Sequence, residues 1–69
     1  MGKQIILTSI EDFINALKNH NIIYNEDASI KYWIYNGFLV SIDTTDLNAN
    51  PTLNPKIDFN QKFYYYSFN

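Results

Sequence analysis

The sequence predicts an α+β fold in which one amphipathic helix packs on a small, mainly antiparallel sheet. Asn36-Gly37 lies between two apolar runs and is typical of a two-residue β-hairpin. A helical repeat of apolar residues follows a short apolar run near the N-terminus, and alternating apolar residues return near the C-terminus. We expect the order β-α-(β)-β-β-β, with residues 1–69 forming a single small domain around this central hairpin.

The first two elements are predicted to be a strand over residues 5–7 and a helix over residues 10–20. Ser9 offers a hydroxyl as the helix N-cap, and Asp12 follows three positions later, as in a capping box. Apolar residues then recur with the spacing of one helical face, at Ile10, Phe13, Ile14 and Leu17. A stripe about 100° wide predicts a helix that docks on a sheet by one side only.

The middle of the chain is predicted to form the hairpin. Residues 22–24 fit either a short strand or a packed connection, and the two hairpin strands cover residues 30–35 and 38–44. A two-residue turn fixes the pairing, so that one side carries Tyr35 with Phe38, Trp33 with Val40 and Lys31 with Ile42. The other side carries Ile34 with Leu39, Tyr32 with Ser41 and Ile30 with Asp43. Both sides are largely apolar, and a single helix can cover only one of them.

The C-terminal third is predicted to be a loop followed by a strand. Residues 45–56 contain Asn50-Pro51 and Asn54-Pro55, which exclude a regular strand or helix and favour a functional loop or a segment ordered by a partner. Residues 57–68 alternate apolar and polar side chains, as expected of a half-buried strand. Both parities become aromatic from Tyr64 to Phe68, so we expect that end of the strand to be covered on both faces.

The composition argues against catalysis and against metal or cofactor binding. Cysteine is absent, His20 is the only histidine, and the only glycines are Gly2 and Gly37, so zinc sites, catalytic triads and phosphate-binding loops lack their parts. We interpret His20 as a boundary residue at the helix end. Residues 43–46 could gather oxygen ligands, but their spacing is not that of an EF-hand, and a turn at the strand end is the preferred interpretation. We expect no catalytic, cofactor or metal site and no enzyme activity.

Charge and hydropathy limit the classes of partner. Five lysines, no arginine and seven carboxylates give a net charge of −2, which argues against duplex nucleic acid. The apolar run at residues 5–7 is too short for a signal peptide or a membrane span, so a cytoplasmic location without membrane association is expected. Heavy use of Asn, Ile, Tyr and Lys, typical of AT-rich coding sequence, points towards a low-GC bacterium, a phage or a mobile element.

The surplus of aromatic residues is the best indication of function. Six tyrosines are present, and Tyr and Trp dominate interaction hot spots. We predict a small non-enzymatic protein-binding module, an inhibitor or regulator encoded by a phage or mobile element, with a homo-oligomer as one candidate assembly. The alternatives are a single-stranded nucleic-acid binder that stacks bases on sheet aromatics, and a self-assembling structural component. The predicted partner-binding residues are Trp33, Tyr35, Phe38, Tyr64, Tyr66 and Phe68.

Overall fold

The computed structural model describes residues 2–68, in which one α-helix packs on one six-stranded antiparallel sheet. This confirms the predicted α+β class. The elements follow one another as β1 Lys3–Leu7, α1 Ile10–Lys18, β2 Ile23–Asn25, β3 Ile30–Tyr35, β4 Phe38–Asp43, β5 Thr52–Leu53 and β6 Phe63–Ser67. Within this described part of the chain no helix has the length and apolar character needed to cross a membrane.

The order of strands across the sheet is β1-β6-β2-β3-β4-β5. The C-terminal strand β6 therefore lies between β1 and β2 and pairs with both, in antiparallel registers that place Tyr64 beside Ile6 on one side and beside Tyr24 on the other. An interior strand is enclosed by neighbours along both edges.

Helix α1 is closed at both ends by local hydrogen bonds. The Asp12 backbone N–H donates to the Ser9 hydroxyl oxygen at 3.1 Å, as predicted for the N-cap. At the other end His20 has φ +62°, its N–H donates to the Leu17 carbonyl, and the Asn21 N–H donates to the Ala16 carbonyl. These two bonds form a Schellman motif, which ends the helix after Lys18, in the segment 19–21 where the sequence predicts its end.

The core lies between α1 and one face of the sheet. Phe13, Ala16 and Leu17 are the buried helix residues, whereas the predicted stripe members Ile10 and Ile14 are exposed. The buried side of the helix is therefore rotated about the helix axis relative to the predicted stripe. The helix packs on the sheet through the side that contains the small residue Ala16. The buried strand residues that complete this core are Leu7, Ile23, Tyr32 and Phe63.

The prediction of one strand over residues 57–68 was wrong for its first half, since β6 begins only at Phe63. The Asn60 N–H donates to the Asp58 carboxylate at 2.9 Å and forms a turn, from which Phe59 reaches the core. Its ring lies edge-on to Phe13 and Phe63, with centroids 5.3 and 5.8 Å away. The alternation of apolar and polar residues before Phe63 therefore arises from Phe59, which packs on the core from a turn and does not belong to a paired strand.

The segment 45–56 contains one element that the sequence did not predict. Thr52 and Leu53 pair with Ser41 and Val40 to form the short edge strand β5. Pro51 precedes this strand, so it removes no ladder hydrogen bond. The sequence predicted that the two Asn-Pro pairs exclude a regular strand or helix, and the segment forms only this two-residue strand, which extends the sheet beyond the hairpin.

Candidate functional site

The hairpin turn determines which residues share a face of the sheet. Asn36 and Gly37 both have positive φ, +50° and +81°, as a type I′ turn requires. The pairing between β3 and β4 is the predicted one, from Tyr35 opposite Phe38 to Ile30 opposite Asp43. Tyr32 is buried under the helix, so its strand neighbours point to the opposite side.

The opposite side of the sheet has no helix over it, and we call it the helix-free face. Its members are assigned by strand alternation and by the registers of all five strand pairs. The helix-free face consists of Gln4, Ile6, Tyr24, Lys31, Trp33, Tyr35, Phe38, Val40, Ile42, Leu53, Tyr64 and Tyr66.

Side chains on the helix-free face form cross-strand rows. The outer row runs through directly paired positions near one end of the strands: Ile6, Tyr64, Tyr24, Lys31 and Ile42. The middle row contains Gln4 paired with Tyr66, and Trp33 paired with Val40, which in turn pairs with Leu53. Tyr35 and Phe38 form a last pair beside the turn. Lys31, the one charged member among these strand residues, therefore lies at the rim.

The structure places all the predicted partner-binding residues on this side of the molecule. Trp33, Tyr35, Phe38, Tyr64 and Tyr66 belong to the helix-free face, and Phe68, which follows β6, lines a cleft with Tyr66 and Tyr24 beside it. The expectation that the end of β6 is covered on both faces was wrong, because Tyr66 and Phe68 are exposed.

Sequence reasoning missed four members of the helix-free face, of which Gln4 precedes the strand predicted over residues 5–7. Tyr24 lies in a run that also fitted a connection, Leu53 lies in the segment predicted to be a loop, and Ile6 was grouped with a buried strand. Alternation within the run Ile5-Ile6-Leu7 could have identified Ile6, because a strand with one covered face turns every second residue outwards. The pairing of Leu53 with Val40 had no local signal.

Three tyrosines form a packed cluster on the face. The Tyr24 and Tyr64 rings stack with centroids 5.6 Å apart, and Tyr66 lies edge-on to them at 6.0 and 5.6 Å. Partial desolvation raises the pKa of the Tyr64 phenol, and its neighbours Tyr66, Tyr24 and Asp27 raise it further. These contacts hold the rings in fixed positions, so little side-chain entropy remains to be lost on association.

A second feature of the face is an apolar cleft of about 440 Å³ where β3, β4 and β5 meet. Buried Val40 forms part of its lining, together with Trp33, Tyr35, Pro51 and Leu53. No lining residue is charged. The Lys31 Nζ lies 5.9 Å from the Trp33 ring centroid, in a cation–π contact beside the cleft. The lining suits an aliphatic or aromatic group.

No strand residue of the helix-free face carries a carboxylate. The carboxylates of the described residues lie on the helix, in turns and at the end of β4, and Asp27 is the one that acts on Tyr64. The Asp43 carboxylate accepts from the Thr45 hydroxyl at 2.6 Å and from its N–H at 2.8 Å. The hydroxyl contact, followed by the backbone contact, lowers the pKa of Asp43. Asp46 accepts in the same way from the Asn48 N–H. Both carboxylates of the segment 43–46 therefore close their own turns.

The chemistry that this arrangement supports is apolar and aromatic contact. Among residues 2–68 no group of three or more His, Cys, Asp or Glu side chains is placed to hold a metal ion. His20 is exposed at the end of the helix. No protein-family model matches the chain, and no curated protein or solved structure shows a significant similarity to it.

Proposed function

We propose that this chain is a small non-enzymatic protein-binding module that docks through its helix-free face. It acts by stoichiometric association in the cytoplasm, as an inhibitor or regulator. The observation that carries this proposal is a sheet face whose strand residues are aromatic or aliphatic except for Gln4 and Lys31, with Lys31 as their single charge. Composition alone supports the further proposal that a phage or mobile element encodes the chain.

The exposure of the face supports a role in binding. Tyr35 and Leu53 are 62% and 65% exposed, and Phe38 and Ile6 are exposed as well. Large contiguous apolar patches are uncommon on isolated soluble proteins and mark interaction sites. The cores of protein interfaces are enriched in Tyr, Trp and Phe and depleted of charge, which is the composition of this face.

The cleft supplies an anchor point within the face. Hot spots at interfaces are well-packed pockets that take a Trp, Tyr or aliphatic side chain and exclude water around it. The Trp33 and Leu53 side chains line this cleft, and Val40 beneath them is buried. A partner side chain seated there would lose its contact with water and gain contact with an almost fully apolar lining.

The charge distribution disfavours a single-stranded nucleic-acid ligand. Such ligands bind aromatic platforms that carry a positive groove for the phosphates. Lys31 is the only strand residue of the helix-free face with a positive charge, and it lies over the Trp33 ring. A lone cation cannot supply the counterion release that drives non-specific nucleic-acid affinity.

The proposal is tested by capture from a lysate of the native host with a matched pair of variants. Tyr35→Lys places a charge on the helix-free face, whereas Ile14→Lys places the same charge at a 45% exposed position on the helix. We expect one stoichiometric protein to be captured by the wild-type chain and by Ile14→Lys, and to be lost with Tyr35→Lys.

The capture is followed by mass spectrometry, and circular dichroism verifies that both variants are folded. A protein captured equally by both variants would show that binding uses another surface. Micromolar binding of a single-stranded oligonucleotide near physiological salt, abolished in Trp33→Ala, would instead support the nucleic-acid alternative.

A further inference from the structure

We infer that the occupant of the helix-free face is a second copy of this chain, so that the protein is a two-fold symmetric dimer packed sheet against sheet. The inference rests on the proposed function and names its partner. In the dimer the two sheets lie face to face at the spacing of a β-sandwich, about 10 Å. The two helices lie on the outside, on the covered sides of their sheets.

The composition of the face indicates a permanent partner. Interfaces that form and separate are about as polar as ordinary protein surface, whereas obligate interfaces resemble a domain core cut in half. On the helix-free face Gln4 and Lys31 are the only strand residues that are neither aromatic nor aliphatic. A face of this composition favours a partner that stays bound, and a second copy of the chain is present wherever the chain is made.

The size of the face matches what a dimer needs. The molecule measures 31 × 25 × 24 Å. A face of such a molecule has a footprint of roughly 600–800 Å², close to the ~800 Å² that each partner buries in a standard interface. One face is therefore large enough to form the whole contact.

Charge placement permits two identical faces to meet. No strand residue of the helix-free face carries a carboxylate, and Asp27, which lies near enough to Tyr64 to raise its pKa, borders the outer row of the contact. The Lys31 Nζ lies 5.9 Å from the Trp33 ring centroid, so the Lys31 side chain would turn outwards along the outer row when two faces meet. The middle row, with Tyr66, Trp33 and Val40, is uncharged and pairs with itself across a two-fold axis without like charges in contact.

The face carries little charge with which to choose among partners. Electrostatic complementarity sets partner choice in many interfaces, through charges that attract one surface and repel others. A single rim lysine provides little of that selection. Partner choice then depends on shape complementarity and apolar contact. In an isologous interface one surface meets its own copy and supplies both.

The test measures the mass of the whole chain in solution and the environment of its only tryptophan. Sedimentation velocity from low micromolar to submillimolar concentration should give a species of twice the 8.1 kDa chain mass. Dilution should shift the Trp33 emission to the red and increase its quenching by acrylamide, because Trp33 lies in the middle row and becomes wetter as the dimer separates.

Two leucines in the same connecting segment provide a matched pair of variants. Leu53 is on the helix-free face and 65% exposed, whereas Leu47 lies in the preceding loop and is 100% exposed. Leu53→Lys should weaken the dimer at least thirtyfold, as loss of a hot spot does, and Leu47→Lys should leave it intact. Tyr35→Lys serves as a second face variant if Leu53→Lys fails to fold by circular dichroism.

The outcomes separate this inference from the proposed function. A wild-type chain that stays monomeric over the whole range overturns the dimer, and if Tyr35→Lys still abolishes capture of another protein, the binding module stands without it. A monomer that captures nothing through this face overturns both. A dimer or polymer that survives both Leu53→Lys and Tyr35→Lys also overturns the inference, because it would form through another surface such as the unpaired edge of β1.

Discussion

The two faces of the one sheet differ in what covers them. On the helix side Tyr32, Phe63 and Ile23 are buried beneath α1, and their rings and branches contact Phe13 and its neighbours. The next residues in the same strands, Trp33 after Tyr32 and Tyr64 after Phe63, point to the other side of the sheet. Within residues 2–68 no helix or strand packs over them. The two sets are equally apolar, so hydrophobicity alone does not separate core from contact surface.

The difference arises from the shortness of the helix and from its single docking side. The nine residues of α1 bury one stripe of side chains against the sheet. Hydrogen bonds close the turn between β2 and β3, where the Asn25 side chain accepts from the Ile30 N–H at 2.9 Å and donates to the Ser29 hydroxyl. The helix-free face has no such closing element within residues 2–68. Apolar side chains in regular rows on an open sheet therefore indicate association, whereas apolar side chains beneath a helix indicate folding.

The largest effect expected from this comparison concerns the centre of the covered face. Phe13 is 2% exposed, and its ring lies within 5.9 Å of three others. Phe13→Ala should reduce the free energy of unfolding by about 3–5 kcal/mol, because it removes a large buried ring and leaves a cavity. Tyr35→Ala on the open face should reduce it by no more than about 0.5 kcal/mol in the dissociated monomer.

Chemical denaturation of both variants, at concentrations below association, measures this contrast. Circular dichroism before denaturation verifies that each begins folded. Equal losses of unfolding free energy would show that Tyr35 belongs to the core and that the two faces do not differ as described.

A smaller effect is expected at the turn that assigns residues to the two faces. A Cβ at Gly37 would meet nothing within 4 Å, so the cost of Gly37→Val is the backbone strain of a β-branched residue at φ +81°. We expect a loss of about 1–3 kcal/mol in the free energy of unfolding. Gly37→Asn is the control, since Asn tolerates positive φ and should lose much less. Equal stability of the Val variant and the wild type would contradict the I′ turn and the register built on it.

Local chemistry in the sequence was sufficient to predict the hairpin and the placement of the aromatic residues. Asn36-Gly37 specifies a two-residue turn, and with that turn every pair between β3 and β4 follows by counting. The Ser9 N-cap was predicted for the same reason, because its hydrogen bond is made within three residues. The shared side of Trp33, Tyr35 and Phe38 is a consequence of this counting.

The parts that could not be predicted depend on contacts between distant residues. Nothing local indicates that β6 enters the sheet between β1 and β2, since any of these apolar strands could pair with any other. Nothing local in the sequence indicates that Tyr64 and Tyr66 pack with Tyr24 in one cluster. The side of α1 that packs inwards also depends on how closely the small Ala16 lets the helix approach the sheet. A helical wheel shows only the angular positions of side chains and does not predict this distance.

The most direct test of the central claim, that the helix-free face serves association and the helix side serves folding, is one double variant. Tyr35→Lys combined with Leu53→Lys adds two charges to the open face and none to the covered core. We predict a folded monomer with the circular dichroism spectrum of the wild type, a monomer unfolding free energy changed by no more than about 1 kcal/mol, and no association in sedimentation velocity. An unfolded chain, or a folded chain that associates as the wild type does, would contradict the account.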